Sequence, residues 1–205
     1  MFNFSGIFFT VVLLITSGFS ILNAEDEEIF SSEDHCVAYA TPEKIMFFPD
    51  YLVIGKSCEV YARTENNGNK SRFIVDIPVA SLDSGVSARD NDVVEILEAD
   101  NFPNLRFKTD WFHKVKIKNF LLDGQGEVSG VLVVSGREYP ISFNMIFSKK
   151  GQNYLIRGEF ETNYTFFDLT PPEFGIFAEV VNKIKIAVNL QSENIIGFEK
   201  TINTL

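Results

Sequence analysis

Five segments of the chain alternate apolar and polar residues with a period of two. Along the segment 72–77, Phe73, Val75 and Ile77 fall on one face, and Arg72 and Asp76 fall on the other. The remaining segments cover residues 114–121, 139–147, 154–164 and 184–190. Alternation of this kind is typical of β-strands with one buried face, and turn-forming stretches rich in Gly and Asn separate the segments. The pattern predicts an antiparallel sheet with one face in water.

The shared apolar face of these strands has to be covered. A sheet of this length can hide that face by curling until it closes, which also removes its exposed edges. With roughly eight strands, the interior of such a barrel is either filled by side chains or holds one small ligand. We therefore predict an all-β fold, an antiparallel closed β-barrel of about eight strands, and both states of the interior stay open.

One segment departs from the alternation. Val93, Ile96 and Leu97 recur at helical spacing within residues 88–99. Asp92 with Glu95 three residues later fits a capping box, and Ser87 with Asp90 offers a second. Pro103 then ends the helical stretch. We predict a short helix over about 88–99 that covers one side or end of the barrel.

The N-terminal region has the pattern of a targeting segment. An apolar run from Ile7 to Ile15 is followed by small or polar residues up to Ala24. This predicts a secretory signal peptide, residues 1–24, cleaved near Ala24, with a retained anchor as the alternative. Residues 25–35 are strongly acidic and are predicted to be a disordered leader. The barrel domain then covers residues 36–192, and residues 193–205 form a C-terminal tail.

The chain contains two cysteines, Cys36 and Cys58. An exported protein reaches an oxidising compartment, so a disulfide between them is permitted, and two buried free thiols are the alternative. Together with His35 and His113 they form no recognisable set of metal ligands, and we predict no metal site.

Charge and motifs narrow the class of function. The net charge of −10 argues against nucleic-acid binding, which needs clustered cations. Lys114, Lys116 and Lys118 alternate and are interpreted as the solvated face of a strand. The chain lacks the G-x-S-x-G, H-E-x-x-H, P-loop and dinucleotide-binding motifs. These features favour a protein that is not an enzyme and has no cofactor.

Three groups of residues recur together in one known family. The first is Ser81-Leu82-Asp83-Ser84-Gly85, followed by Arg89-Asp90, the predicted helix and Phe102-Pro103. The second comprises Gly130, Leu132, Gly136 and Pro140, and the third runs from Phe167 through Gly175. In this order, and over roughly Ala38 to Gln191, they resemble the YceI-like family. The chain has Asp92-Val93 where many relatives have His-Met. Any catalytic or metal-binding role that this histidine has in those relatives is therefore absent from this chain.

The resemblance implies an exported, lipocalin-like barrel of the bacterial periplasm whose ligands are of the isoprenoid type. The inward rows supply the candidate cavity lining: Phe73, Val75, Phe107, Tyr139, Phe143, Phe147, Tyr154, Phe160 and Tyr164. Arg89 either pairs with Asp83 or Asp90, or holds an anionic head group at the cavity mouth.

The predicted function is sequestration or carriage of a long apolar ligand, an isoprenoid or other lipid, in the barrel interior. The predicted partner is thus an apolar small molecule, with no nucleic acid and no membrane span in the mature chain. The oligomeric state is left open, a dimer included. Two alternatives remain: a protein-interaction or stress-related barrel with a filled core, and a lipid-processing enzyme.

Overall fold

The computed structural model describes residues 29–30, 34–174 and 178–203, and the predicted signal peptide lies outside them. The strands are β1 (Cys36–Ile45), β2 (Tyr51–Ser57), β3 (Tyr61–Asn67), β4 (Lys70–Pro78), β5 (Asn104–Thr109), β6 (Phe112–His113), β7 (Gln125–Val134), β8 (Arg137–Lys150), β9 (Asn153–Thr162), β10 (Glu173–Phe174), β11 (Ala178–Val180), β12 (Ile184–Gln191) and β13 (Ile195–Ile196). The α-helices are α1 (Ser87–Ile96), α2 (Lys114–Asp123) and α3 (Phe198–Ile202).

The strands form one sheet in the order β10-β11-β1-β12-β9-β8-β7-β5-β4-β3-β13, with β2 also paired to β1 and β6 to β4. All pairs are antiparallel except β13 with β3, which is parallel. Residues from distant strands share one core cluster, among them Val37 of β1, Val75 of β4, Val128 of β7 and Leu190 of β12. The sheet is therefore strongly curled around a common interior, and the prediction of an all-β fold is confirmed.

The prediction of a closed eight-stranded barrel is wrong. No pairing joins β2 to β3 within the described residues, although the two strands follow each other along the chain. The free edge of β3 is occupied by β13, with Ile195 opposite Ala62. Beyond its pairing with β1, the backbone of β2 contacts the loop after β4, where Lys56 and Asp83 exchange two hydrogen bonds of 2.9 and 3.0 Å. The barrel would close by pairing β2 with β3, but the loop at Asp83 contacts β2 and β13 covers the edge of β3.

Residues 114–121 were predicted as a strand, but they lie in the helix α2, Lys114–Asp123. Ile117 is buried, and Phe120 and Leu121 pack against the same core cluster. These three residues follow the i, i+3, i+4 spacing of one helix face. The alternating lysines Lys114, Lys116 and Lys118 suggested a strand. They occupy only the first turn and a half of the helix, and a stretch this short does not distinguish a period of two residues from the helical period of 3.6.

The one helix that the sequence predicted, over about 88–99, is confirmed as α1, Ser87–Ile96, with small differences at its ends. Its N-cap is Val86, which makes no side-chain capping hydrogen bond, so neither predicted capping box forms. Asp90 instead accepts hydrogen bonds from the backbone N and the Oγ of Ser84, at 2.9 and 2.6 Å. The carboxylate thus holds the preceding loop against the helix.

Both ends of the described chain pack on the sheet. Phe30 is buried beside Cys36, Ala38 and Ala187 on the outer side of β1 and β12. At the other end, Phe198 of α3 is only 2% exposed and belongs to the main core cluster. In the part of the chain that the structure describes, no helix has the length and apolar character needed to span a membrane.

Candidate functional site

The curled sheet surrounds an apolar cavity of about 100 Å³, here called the inner cavity. Its wall is formed by inward side chains of β1, β3, β4, β5, β7, β8, β9, β12 and β13, and Arg63 and Thr109 are its polar members. Six of the nine predicted lining residues lie in this wall: Phe73, Val75, Phe107, Phe143, Phe147 and Phe160. The strand alternation therefore brings these side chains together as expected.

The phenylalanine rings of this wall pack on one another. The ring centroids of Phe107 and Phe143 are 5.7 Å apart, and those of Phe143 and Phe160 are 5.4 Å apart. Phe147 stacks on Phe120 of α2 with an interplanar angle of 8°. Ring pairs at these distances each add about 0.5–1.5 kcal/mol beyond their buried area. The wall is a continuous aromatic layer that runs from β5 across β8 to β9.

The three predicted tyrosines lie outside the inner cavity. Tyr139 donates a hydrogen bond to the Phe167 carbonyl at 2.8 Å and packs edge-on against the Phe167 ring. Tyr154 packs against Phe198, with ring centroids 6.2 Å apart. Tyr164 lines a second cavity instead. A buried phenol requires a hydrogen-bond partner, and for Tyr139 that partner is the Phe167 carbonyl.

This second cavity, of about 90 Å³, lies between the β1–β2 hairpin and α1 and is here called the outer cavity. Inward residues of β1 connect the two spaces, since Val37 lines the inner cavity while Tyr39, Thr41 and Glu43 line the outer one. On β12, Ile186 belongs to the inner cavity and Ile184 to the outer one. The two cavities follow each other along the same interior.

Apolar residues of α1 cover the outer cavity. Val93, Ile96 and Leu97 contribute to its wall, and Val53 of β2 lies on the opposite strand of the hairpin. Gly55 of β2 leaves room for the Tyr39 ring, because a Cβ atom at that position would overlap it. The space thus has apolar walls with a few polar side chains at one end.

Three polar groups define that end. Glu43 is 5% exposed, and its Oε2 accepts a hydrogen bond of 2.6 Å from the Tyr51 hydroxyl. Arg89 donates to the same hydroxyl at 3.0 Å and lies 3.5 Å from Glu43 Oε2. The predicted pairing of Arg89 with Asp83 or Asp90 is wrong. Asp83 accepts from the Gly85 backbone and Asp90 from Ser84. The charge of Arg89 is thereby balanced by Glu43 from within the protein.

Burial raises the pKa of Tyr39 to about 12, and the nearby Tyr164 and Asp90 act in the same direction. Burial likewise raises the pKa of Tyr164. The pKa of Tyr51 is raised by burial and then by its hydrogen bond to Glu43. All three phenols therefore stay protonated at physiological pH. The polar groups in the wall of the outer cavity are the hydroxyls of Tyr39, Thr41 and Tyr164, the Asp92 side chain and the Glu43–Arg89 ion pair.

Sequence reasoning missed Tyr39, Thr41 and Glu43. They alternate with Ala38, Ala40 and Pro42, so a period of two was present in β1. The phase was misleading because the polar row, which normally faces water, is the row that faces the interior here.

The structure also joins Cys36 to Cys58 by a disulfide between the start of β1 and the segment that follows β2. Among the described residues, no group of three or more His, Cys, Asp or Glu side chains is placed to hold a metal ion.

A YceI-like domain model matches residues 53–192, more than half of the chain, and the chain belongs to this family. No curated protein matches the chain.

Several solved structures share the fold. BcnA of Burkholderia cenocepacia superposes with a TM-score of 0.58 at 17% identity, covering 76% of this chain and 95% of its own. The YCEI protein of Campylobacter jejuni gives 0.55 at 16% identity, covering 72% of this chain and 88% of its own. A domain from Saccharophagus degradans, described as a polyisoprenoid binding domain, gives 0.55 at 8% identity, covering 76% and 92%.

Proposed function

We propose that this protein is an exported binding protein that sequesters or carries a long apolar ligand, an isoprenoid or another lipid, without transforming it. The observation that carries the proposal is the pair of apolar cavities that lie one after the other along β1 and β12. Membership of the YceI-like family and the likeness to a polyisoprenoid binding domain support the same class of ligand. The predicted signal peptide supports a site of action in the periplasm or outside the cell.

The size of the inner cavity sets a condition on binding. It measures about 100 Å³, whereas pockets for drug-sized ligands range over roughly 300–1,000 Å³. A long chain therefore enters only if aromatic side chains of the wall rotate away. Separating a few ring pairs costs about 0.5–1.5 kcal/mol each, while each buried methylene of the ligand contributes about 0.8 kcal/mol. Burial of about ten chain carbons exceeds that cost.

The open sheet provides room for this expansion. Because β2 and β3 are not paired to each other within the described residues, the β1–β2 hairpin can move outward without breaking a strand ladder between them. The contacts that hold β2 to the loop after β4 are the two backbone hydrogen bonds between Lys56 and Asp83 and the 2.6 Å hydrogen bond between Ser57 and Ser81. These few bonds cost less to break than a full strand ladder. A ligand that widens the interior would separate β2 from β3.

The polar end of the outer cavity favours a particular kind of head group. Arg89 already lies against Glu43, so an anionic group would have to displace an internal carboxylate. Neutral hydroxyl or carbonyl groups can instead exchange hydrogen bonds with Tyr39, Tyr164 or Thr41. We therefore favour a ligand with a neutral polar end over a phosphorylated one.

The small volume of the inner cavity also favours a second candidate, a filled barrel that acts by binding another protein.

Native mass spectrometry distinguishes the lipid carrier from the filled barrel. The processed chain is purified without detergent from the cell that exports it, and its mass is measured before and after organic extraction. A discrete adduct that extraction releases as a lipid supports the carrier function. A bare mass that lipid extract does not change would contradict it and leave the filled barrel.

A further inference from the structure

The hairpin between β1 and β2 ends in three consecutive apolar side chains that project into solvent. Met46, Phe47 and Phe48 are 43%, 93% and 69% exposed, and we call them the aromatic tip. Among the large apolar residues that the structure describes, Phe47 has the highest exposed fraction. Isolated apolar residues at a surface are ordinary, but three in succession at the end of a hairpin mark an interaction site.

The backbone presents the tip in an unfavourable conformation. Phe47 has a φ of +70°, in the left-handed region that residues with a Cβ atom seldom adopt. The turn is closed by a hydrogen bond of 3.1 Å from the Phe48 N–H to the Ile45 carbonyl. Both the strained φ and the exposed ring reduce the stability of the free protein. Strain combined with exposure points to a contact that forms only with a partner.

The tip lies next to the outer cavity. Glu43 of β1 and Val53 of β2 are in the cavity wall, and the same two strands continue into the tip. Met46 is three residues beyond Glu43, roughly 10 Å along an extended chain. Whatever binds the tip is therefore held within a short distance of this end of the interior.

The size and charge of the tip determine what it fits. An aromatic side chain buries about 150–250 Å², so three apolar side chains offer less than the roughly 800 Å² per partner of a stable protein interface. Insertion into a bilayer needs no complementary surface, and each inserted aromatic ring increases partitioning by about tenfold or more. The net charge of −10 gives no general attraction to anionic lipid. A neutral bilayer is the surface that matches these properties.

We propose that the aromatic tip inserts into the surface of a neutral lipid bilayer and brings the outer cavity against the lipid. An apolar molecule then passes between bilayer and cavity without crossing water. This transfer step rests on the proposed function. Membrane binding by the tip does not require that the interior hold a ligand, so it is tested separately.

Flotation with phosphatidylcholine vesicles tests the proposal. The probe is the processed chain, with its mass verified to begin after the predicted cleavage site, so that no N-terminal apolar segment contributes. The wild-type chain is expected to float with the vesicles. Phe47→Asp and Phe48→Asp should each lower the lipid partition coefficient by about tenfold or more. Leu122→Asp in α2 is the matched control, because Leu122 is 73% exposed and the charge change is identical. Its partitioning should equal that of the wild type.

A second measurement locates the contact directly and covers the case in which an aspartate variant does not fold. Trp111 is the only tryptophan, so Phe47→Trp and Leu122→Trp are each made in a Trp111→Phe background. Brominated lipid should quench the fluorescence of the Phe47→Trp protein and leave that of the Leu122→Trp protein unchanged. Equal quenching of both, or a wild-type chain that stays in the aqueous fraction, would overturn the proposal.

Discussion

Arg89 of α1 and Glu43 of β1 form an ion pair, with 3.5 Å between Nη2 and Oε2. The Glu43 side chain is 7% exposed and that of Arg89 is 22% exposed, so the pair is largely screened from water. It fixes the helix over the outer cavity, where both residues belong to the wall. The pair is thus a structural link as well as the charged end of the candidate site.

Replacing Arg89 should therefore destabilise the protein through the partner that is left behind. In the Arg89→Leu variant the Glu43 carboxylate keeps the Tyr51 hydroxyl but loses its cation. We expect a decrease of about 2 kcal/mol in the free energy of unfolding, because a buried charge without its partner is costly. Chemical denaturation measures the change. The double variant Arg89→Leu/Glu43→Leu should recover part of the loss, and a double variant less stable than Arg89→Leu would contradict this account.

Filling the inner cavity should reduce binding of an apolar ligand. Val128 of β7 is buried in the cavity wall. A Val128→Trp variant should lose ligand while its stability falls by only about 1–3 kcal/mol, the usual cost of overpacking. Adduct occupancy in native mass spectra and thermal unfolding check both effects. Val131→Trp is the matched control, since Val131 is on the same strand three residues away and opposite in alternation. Equal loss of adduct in both variants would remove the inner cavity as the binding site.

Removal of the disulfide should lower stability without changing the strand order. Cys36 and Cys58 are 22 residues apart, and Cys36 is 1% exposed. The bond restricts the unfolded chain over that loop, which corresponds to about 3 kcal/mol. Unfolding of the Cys36→Ser/Cys58→Ser variant, compared with the oxidised wild type, measures the difference. Reduced wild type should show a similar decrease, and a midpoint that does not respond to reductant would argue against the bond.

Mild acid should destabilise the protein partly through His35. Burial lowers the pKa of His35 below its ordinary value, and Nδ1 accepts a hydrogen bond of 3.0 Å from the Gln191 backbone. In the unfolded chain the imidazole binds a proton below about pH 6.5, while the folded protein resists it. The unfolded state then binds more protons, so stability falls as the pH falls from about 6.5 towards the folded pKa.

The measurement is the unfolding midpoint of wild type and of a His35→Asn variant across that range. The wild type should lose more stability than the variant on acidification, because the variant has no imidazole to protonate. Parallel curves would show that the carboxylates alone account for the pH dependence.

Much of the fold was predictable because strand alternation depends only on which residues are apolar. Phe73, Phe143 and Phe160 lie in the inner cavity wall as the pattern indicated. The closure of the barrel was not predictable in this way. Whether β2 and β3 pair depends on what competes for their edges. The competitors are a loop at Asp83, 27 residues from its partner Lys56, and the strand β13, whose Ile195 is 133 residues from its partner Ala62.

The candidate site was only partly predictable for a related reason. A polar side chain in an alternating segment is assigned to the solvent face, so Glu43 could be recognised as internal only after α1 was placed over it. One of the two interpretations of Arg89 put it at the mouth of the cavity, and the residue lies in the wall of the outer cavity. Its partner Glu43 is 46 residues away in the sequence, and spacing alone gives no indication of such a pair.

The parallel pairing of β13 with β3 has a consequence for the order in which the fold assembles. Ile195 and Phe198 belong to the same core cluster as Val37 and Ala62, which come from the first strands of the sheet. Ile195 pairs with Ala62, and contacts between residues so far apart in sequence form late because a long loop must close first. We therefore expect the edge of β3 to be covered only after most of the sheet has formed, and until then this edge and the core beneath it are open to other chains.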